Sequence, residues 1–233
     1  MKASTLLKTL SGQSIAAAGS LVLDQAYERS RNGDAQIWRP VTIEIGGEIL
    51  LLRVAPNYWE YGEGDDRIMM PMTLPIALEV AKLWGAILPT PRMVEAIWTQ
   101  AVVKVAAHPT KPDAGMVTVA RAGLHDLTAK ADLYRAEPTW KREQLLVGGH
   151  KKDLVDLPTR PTGKLGIYGW HGERGPAIQP VSFVHDENYV DYSHGVRLVS
   201  WWAEYGGKTF AMDDLFKHDV VGPALLQLRR LVV

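Results

Sequence analysis

The 233-residue sequence contains no cysteine. That absence excludes a disulfide scaffold, cysteine-containing zinc sites, iron–sulfur ligation and a cysteine nucleophile, and leaves His, Asp, Glu, Ser, Thr, Tyr and Lys to carry any chemistry. Net charge is absent as well, since 26 Lys and Arg stand against 26 Asp and Glu. Neutralising phosphates needs a concentrated basic surface, which short Lys/Arg pairs do not provide, so nucleic acid is not an expected partner. No segment offers about 18 uncharged apolar residues, the length a membrane-spanning helix needs. No glycine-rich phosphate cradle follows a strand, so no nucleotide cofactor is expected, and no internal repeat stands out. The N-terminus carries small and apolar residues, but Lys8, Thr9, Ser11, Gln13 and Ser14 interrupt them. This reads as a packed amphipathic helix in place of a signal peptide and leans the chain to the cytoplasm. Oligomeric state is not set by any of these features.

What is present divides into an N-terminal helical segment, 1–40, and one α+β domain, 41–233. Residues 12–30 carry helical apolar spacing at Ile15, Ala18, Leu21, Val22 and Ala26, with Asn32–Gly33 as a stop. The stretch 42–54 predicts a hairpin turning at Gly46–Gly47, and its continuously apolar second strand predicts cover on both faces. Residues 55–75 form an aromatic and acidic loop in which Tyr58, Trp59 and Tyr61 either anchor the loop to the core or line a groove. Thr73 and Thr90 are placed to cap two helices, the first ending at Gly85 and the second opening with Pro91. His108–Gly115 is a proline-rich break. Residues 117–137 predict a helix interrupted near Gly123, with His125, Asp126 and Lys130 at its surface or over a cleft. Strands are expected at EQLLVGG, LGIYGW, 176–183 and 195–203, then a hairpin at Tyr205–Gly206–Gly207–Lys208 and a terminal helix bearing Val220, Leu225, Leu228 and Leu231, with Arg229–Arg230 near its negative end. Helices first and short-linked strands later point to an α+β layer fold. The N-terminal helices would pack on a mainly antiparallel or mixed sheet formed largely by the C-terminal half.

Residues 148–199 concentrate the reactive side chains. Four of the seven histidines fall there, His150, His171, His185 and His194, among Asp153, Tyr168, Gln179, Asp191, Tyr192 and Ser193. The phrases GHKKD, IYGWH, GPAIQPVSFVH and YVDYSHGVRLV, with MMPMTLPIALEVAKLWGAILPTPRMVEAIW upstream, resemble a widespread family of uncharacterised bacterial proteins. The resemblance covers most of the chain after about residue 50 and implies a common fold and a shared site, with no catalytic role attached.

Three functional readings follow. In the first, His150, Asp153 and His194 hold zinc or another divalent metal that activates water, His171 or His185 moves the proton, and Asp191 orients a histidine. In the second no metal takes part: a histidine serves as acid or base, Asp153 or Asp191 orients it, and Arg197 or Lys152 stabilises negative charge. Both make the chain a hydrolase of amide or glycosidic bonds, with Lys152, Tyr168, Gln179, Tyr192 and Arg197 holding a small-molecule, peptide or glycan substrate. The third is a noncatalytic glycan- or peptide-binding module. A Ser193 hydrolase is disfavoured, because Ser193 lacks a glycine-flanked elbow and Asp191 and Ser193 alternate away from His194.

Overall fold

The computed structural model describes residues 1–139, 145–172 and 175–227. Two helices open the chain, α1 (Ala3–Leu10) and α2 (Gly19–Arg31), the second entered through a short turn at Ala16–Ala18. The hairpin β1 (Arg39–Ile45) and β2 (Glu48–Val54) turns at Gly46 and Gly47, whose φ angles of 61° and 84° are the left-handed pair that a two-residue turn requires. A small hairpin, β3 (Tyr61–Glu63) and β4 (Asp66–Ile68), precedes α3 (Leu74–Leu83), β5 (Ala86–Ile87) and α4 (Pro91–Gln100). Then come β6 (Val103–Lys104), α5 (Val119–Ala136), β7 (Val147–Gly148), β8 (Lys152–Leu154), β9 (Ile167–His171) and β10 (Ala177–Ser182). The chain closes with β11 (His194–Gly195), β12 (Val199–Ser200), β13 (Trp202–Tyr205), β14 (Lys208–Ala211), α6 (Met212–Lys217) and α7 (Val221–Leu226). Among the described residues no helix is long and apolar enough to cross a membrane.

Two sheets organise this α+β fold. The larger runs β14-β13-β2-β12-β5, with β1 on the other side of β2 and every pairing antiparallel. The smaller is mixed, in the order β10-β9-β8-β11, with only β8 and β11 parallel. Helix α4 packs against both β1 and β9. Thr90 caps it by accepting a hydrogen bond from the Met93 backbone N–H, and Pro91 fills its first turn. Met93 and Ile97 join the apolar core beneath the larger sheet, while Val94 packs with Val155 and Tyr168. The intervening residue, Glu95, is thereby held between the two sheets.

The N-terminal helices are not a separate layer. Ala3, Leu6, Ile15, Val22 and Ala26 lie in one core with Leu165, Ile167, Val196 and Leu198, and each large apolar side chain buried there contributes roughly 1.5–3 kcal/mol. Several local expectations are corrected. Strand β2 is not covered on both faces: Leu50, Leu52 and Val54 are buried while Ile49 is half exposed, so its apolar run reflects a central place in the sheet. Helix α5 continues through Gly123, where a Cβ would approach Leu7 Cδ2 to 2.8 Å, so this glycine serves close packing against α1. His125 and Asp126 are buried. The expected strand 195–203 is broken into β11, β12 and the start of β13. The C-terminus forms two short helices in place of one, and Leu228, Arg229, Arg230 and Leu231 lie outside the described residues, as do Glu143 and Gln144 of the EQLLVGG stretch.

Candidate active site

The site is built on a break in the backbone of β9. Residues three apart in a regular strand point to opposite faces. Tyr168 and His171 nevertheless reach the same carboxylate: Tyr168 Oη donates to Glu95 Oε1 at 2.5 Å, and His171 Nε2 lies 3.0 Å from the same oxygen. Between them Gly169 and Trp170 have φ angles of 105° and 56°. Trp170 is the one non-glycine residue with positive φ among the described residues, a conformation that costs a bulky side chain about 1–3 kcal/mol and persists only when the surroundings impose it. Here those surroundings are backbone bonds from Trp170 N–H to Lys151 O and from His171 N–H to Gly149 O.

Gly169 also leaves a notch. The position that a Cβ would occupy lies 3.3 Å from Val94 Cγ1, 3.5 Å from Asp153 Oδ2 and 3.7 Å from His171 Cε1. Asp153, His171 and Glu95 are thus grouped from β8, β9 and α4. Trp98 stacks on the His171 ring with centroids 4.7 Å apart, and Lys104 Nζ sits 4.7 Å from the Trp98 ring centroid. Asp153 and His171 are buried, whereas the Glu95 side chain is 23% exposed and lines a cleft of about 330 Å³ between α4 and β1.

The two carboxyl groups are driven in opposite directions. Burial raises the Asp153 pKa to about 6, against the lowering influence of Arg197, the Tyr58 hydroxyl and His171. Burial also raises that of Glu95, but hydrogen bonds from His171 and Tyr168, together with the charges of His171 and Arg92, outweigh it and hold the group below its ordinary value. One carboxyl keeps its proton toward neutral pH while the other stays ionised.

Behind Asp153 the packing is tight. Tyr58 Oη donates to Asp153 Oδ2 at 2.9 Å, and the Arg197 guanidinium lies 4.2 Å from the Tyr58 ring centroid while donating to Ala55 O and Val147 O. Gly195 makes room for this, since a Cβ there would meet the Tyr58 ring at 2.6 Å. His150 packs edge-on against Tyr58, with Nε2 3.2 Å from Met69 Sδ. Burial, followed by the charges of Arg197 and Lys151, holds its pKa well below the ordinary histidine value. Lys151 is wholly buried, neither facing water nor open to a ligand. It donates to Tyr192 O, and burial lowers its pKa to about 8.

A second polar group surrounds Asp191. Its Oδ1 accepts from both the N–H and the hydroxyl of Ser193, so the hydroxyl is engaged with a carboxylate and not with a histidine base. His194 Nε2 is 3.7 Å and Lys152 Nζ 3.9 Å from Asp191 Oδ2, and Lys152 also sits 4.5 Å from the Trp170 ring centroid. Burial lowers the His194 pKa to about 4 despite Asp191. Tyr189 reaches Asp191 Oδ2 at 3.4 Å and stacks on His185, 4.0 Å between centroids.

Of the residues singled out in the sequence, His171, Tyr168 and Asp153 therefore meet at one place. Asp191, His194 and Lys152 meet at another, with His185 at its outer edge. Of the ligand set His150, Asp153 and His194, the first two both touch Tyr58 while His194 faces Asp191, and among the described residues no group of three or more His, Asp or Glu side chains could hold a metal ion. Arg197 and Tyr192 are wholly buried, and the Tyr192 hydroxyl accepts from the N–H and hydroxyl of Thr110. Gln179 stands on β10 and donates to Pro180 O. Sequence reasoning missed Glu95, whose one signal was a carboxylate within the apolar run Met93–Trp98 of a capped helix. It placed Tyr58 in the 55–75 loop without a link to Asp153. No protein-family model, curated protein or solved structure matches the chain.

Proposed function

We propose that the chain is a hydrolase of amide or glycosidic bonds that works without a metal, through Asp153, His171 and Glu95. The observation that carries the reading is that Asp153 and His171 meet at the notch left by Gly169, beside a strained tryptophan, while Glu95 reaches His171 from an open cleft. Glu95 meets the His171 ring at Nε2, and the imidazole so oriented accepts a proton from water. Asp153, protonated below about pH 6, returns a proton to the departing amine or alcohol, so that water is divided between the two halves of the cleaved bond. Two carboxyl groups pushed apart in pKa by their surroundings support this division of acid and base. Two of the phrases that carry the resemblance to an uncharacterised bacterial family, GHKKD and IYGWH, contain Asp153 and His171, and we propose that they mark this same site.

The test is a turnover screen against peptides, peptidoglycan fragments and oligosaccharides, using protein purified without an affinity-metal step. Turnover that survives a strong chelator and is lost in Glu95→Gln and His171→Ala is the expected result. Turnover abolished by the chelator and restored by zinc would return weight to the metal reading. Saturable binding with no turnover of any of these substrates would favour the noncatalytic module.

A further inference from the structure

We infer that a small cleft on the opposite side of Tyr58, lined by Arg29, Asn57, Trp59, Glu60 and Arg67, binds a small oxyanion, either a carboxylate or a phosphate group. Its volume is about 70 Å³, several times the space that one water needs and enough for a group of that size. The walls are rich in donors. Asn57 Oδ1 accepts from the Tyr58 N–H, which orients the amide and leaves Nδ2 as its donor. Asn57 Nδ2, Trp59 Nε1 and Arg67 Nε are all buried without a hydrogen-bond partner among the described residues. Buried donors are nearly always satisfied, and leaving each one unpaired costs about 1–3 kcal/mol. Three such donors around one cleft call for an occupant with several acceptor oxygens.

The charges agree. Arg29 is held by aromatic faces on two sides, 5.6 Å from the ring centroids of both Trp59 and Trp84, with Nη1 donating to Glu60 O and Nε to Asp34. The acidic wall residue, Glu60, lies 3.6 Å from Lys130 Nζ and so has a cation of its own. Two guanidinium groups and two neutral donors surround a space too small for a peptide or sugar, and bidentate guanidinium chemistry favours planar or tetrahedral oxyanions. The cleft also adjoins the groups behind the candidate active site. Tyr58, in its wall, donates to Asp153, and Ala55, also in its wall, accepts from Arg197. This inference does not depend on the hydrolase reading.

The measurement is a titration of the intact chain with acetate and, separately, with inorganic phosphate at constant ionic strength. Binding is followed by the indole N–H resonance of Trp59, assigned by its loss in Trp59→Phe. A saturable shift with either anion is expected, and the stronger of the two identifies the natural ligand as a carboxylate or a phosphate. Arg67→Gln and Asn57→Asp should each weaken binding by about tenfold or more, since each removes a donor and the second adds a repelling charge. Absence of a saturable shift with both anions in the wild-type chain would overturn the inference without reference to any variant. Unchanged affinity in folded Arg67→Gln would overturn it equally.

Discussion

Two clusters from the same polar stretch differ in what surrounds their carboxylates. Around Asp191, the carboxylate is filled by the Ser193 N–H and hydroxyl, its neighbours His194 and Lys152 are largely enclosed, and burial lowers the His194 pKa to about 4. Such an arrangement fixes a loop. Around Gly169, burial raises the Asp153 pKa to about 6, hydrogen bonds from His171 and Tyr168 hold that of Glu95 below its ordinary value, and the Glu95 side chain reaches a cleft. Density of histidine along a sequence therefore does not by itself locate the proposed proton-transfer centre. A pair of carboxyls placed in contrasting surroundings, with one open to solvent, is the better guide.

The largest effect that could break this comparison is on turnover. Glu95→Gln and His171→Ala should lower the rate of whichever hydrolysis the screen finds by about 10²–10⁴-fold, the usual contribution of a positioned acid or base. Ser193→Ala should leave the rate within a few-fold in protein that still folds, because its hydroxyl is bonded to Asp191. Rates falling in Ser193→Ala while Glu95→Gln retains activity would exchange the roles of the two clusters.

Next in size is the apolar support. Leu165 and Leu198 are 1% and 0% exposed and lie in the core shared with the N-terminal helices. Leu198→Ala should cost about 2–5 kcal/mol in urea unfolding through lost burial and the cavity left behind. A cost below about 1 kcal/mol would mean that this core repacks easily and that the strained turn at Trp170 is imposed from elsewhere.

The clusters should also respond oppositely to acid. The folded Asp153 holds its proton to about pH 6 against 3.8 in the ordinary state. Between those values the folded chain binds more protons, so stability falls as pH rises, by about 3 kcal/mol once pH exceeds 6. His194 is the reverse case: its folded pKa of about 4 lies below 6.5, so the folded chain binds fewer protons and stability falls as pH drops through that window. Asp153→Asn should raise the urea midpoint at pH 7 and leave it nearly unchanged at pH 3.5. His194→Gln should remove part of the loss between pH 6.5 and 4. Equal midpoint shifts at both pH values in Asp153→Asn would show that its carboxyl titrates normally.

The legible part of the fold was its local chemistry. Gly46–Gly47 and Gly206–Gly207 announced their hairpins, Thr90–Pro91 announced α4, and these features hold because short-range sterics and capping decide them. What stayed hidden was nonlocal. Trp170 in a left-handed conformation has no sequence signature apart from Gly169 beside it, yet it brings Tyr168 and His171 to one carboxylate. Glu95, 76 residues from His171 along the chain, could be joined to it only by knowing that α4 packs on β9. Lysine is usually solvated, and the burial of Lys151 is set by Tyr58 and by Tyr192 and Gly195, from two other segments of the chain.

The smallest expected effect separates the periphery from both clusters. Gln179 was read as a substrate holder because it precedes Pro180 in an extended segment, and its register places it opposite Gly169 across the β9–β10 pair. Its side chain bonds only to Pro180 O, the carbonyl of the next residue, in an exposed setting. A local bond of that kind fixes nothing elsewhere in the fold, so Gln179→Ala should change stability by no more than about 0.5 kcal/mol. If substrate enters from the Glu95 cleft between α4 and β1, it does not meet Gln179, and KM should be unchanged as well. A several-fold rise in KM at constant kcat in Gln179→Ala would place the substrate on the β10 side of the sheet and move the entrance away from Glu95, leaving the Asp153 and His171 roles intact but reversing which carboxyl faces the solvent-borne reactant.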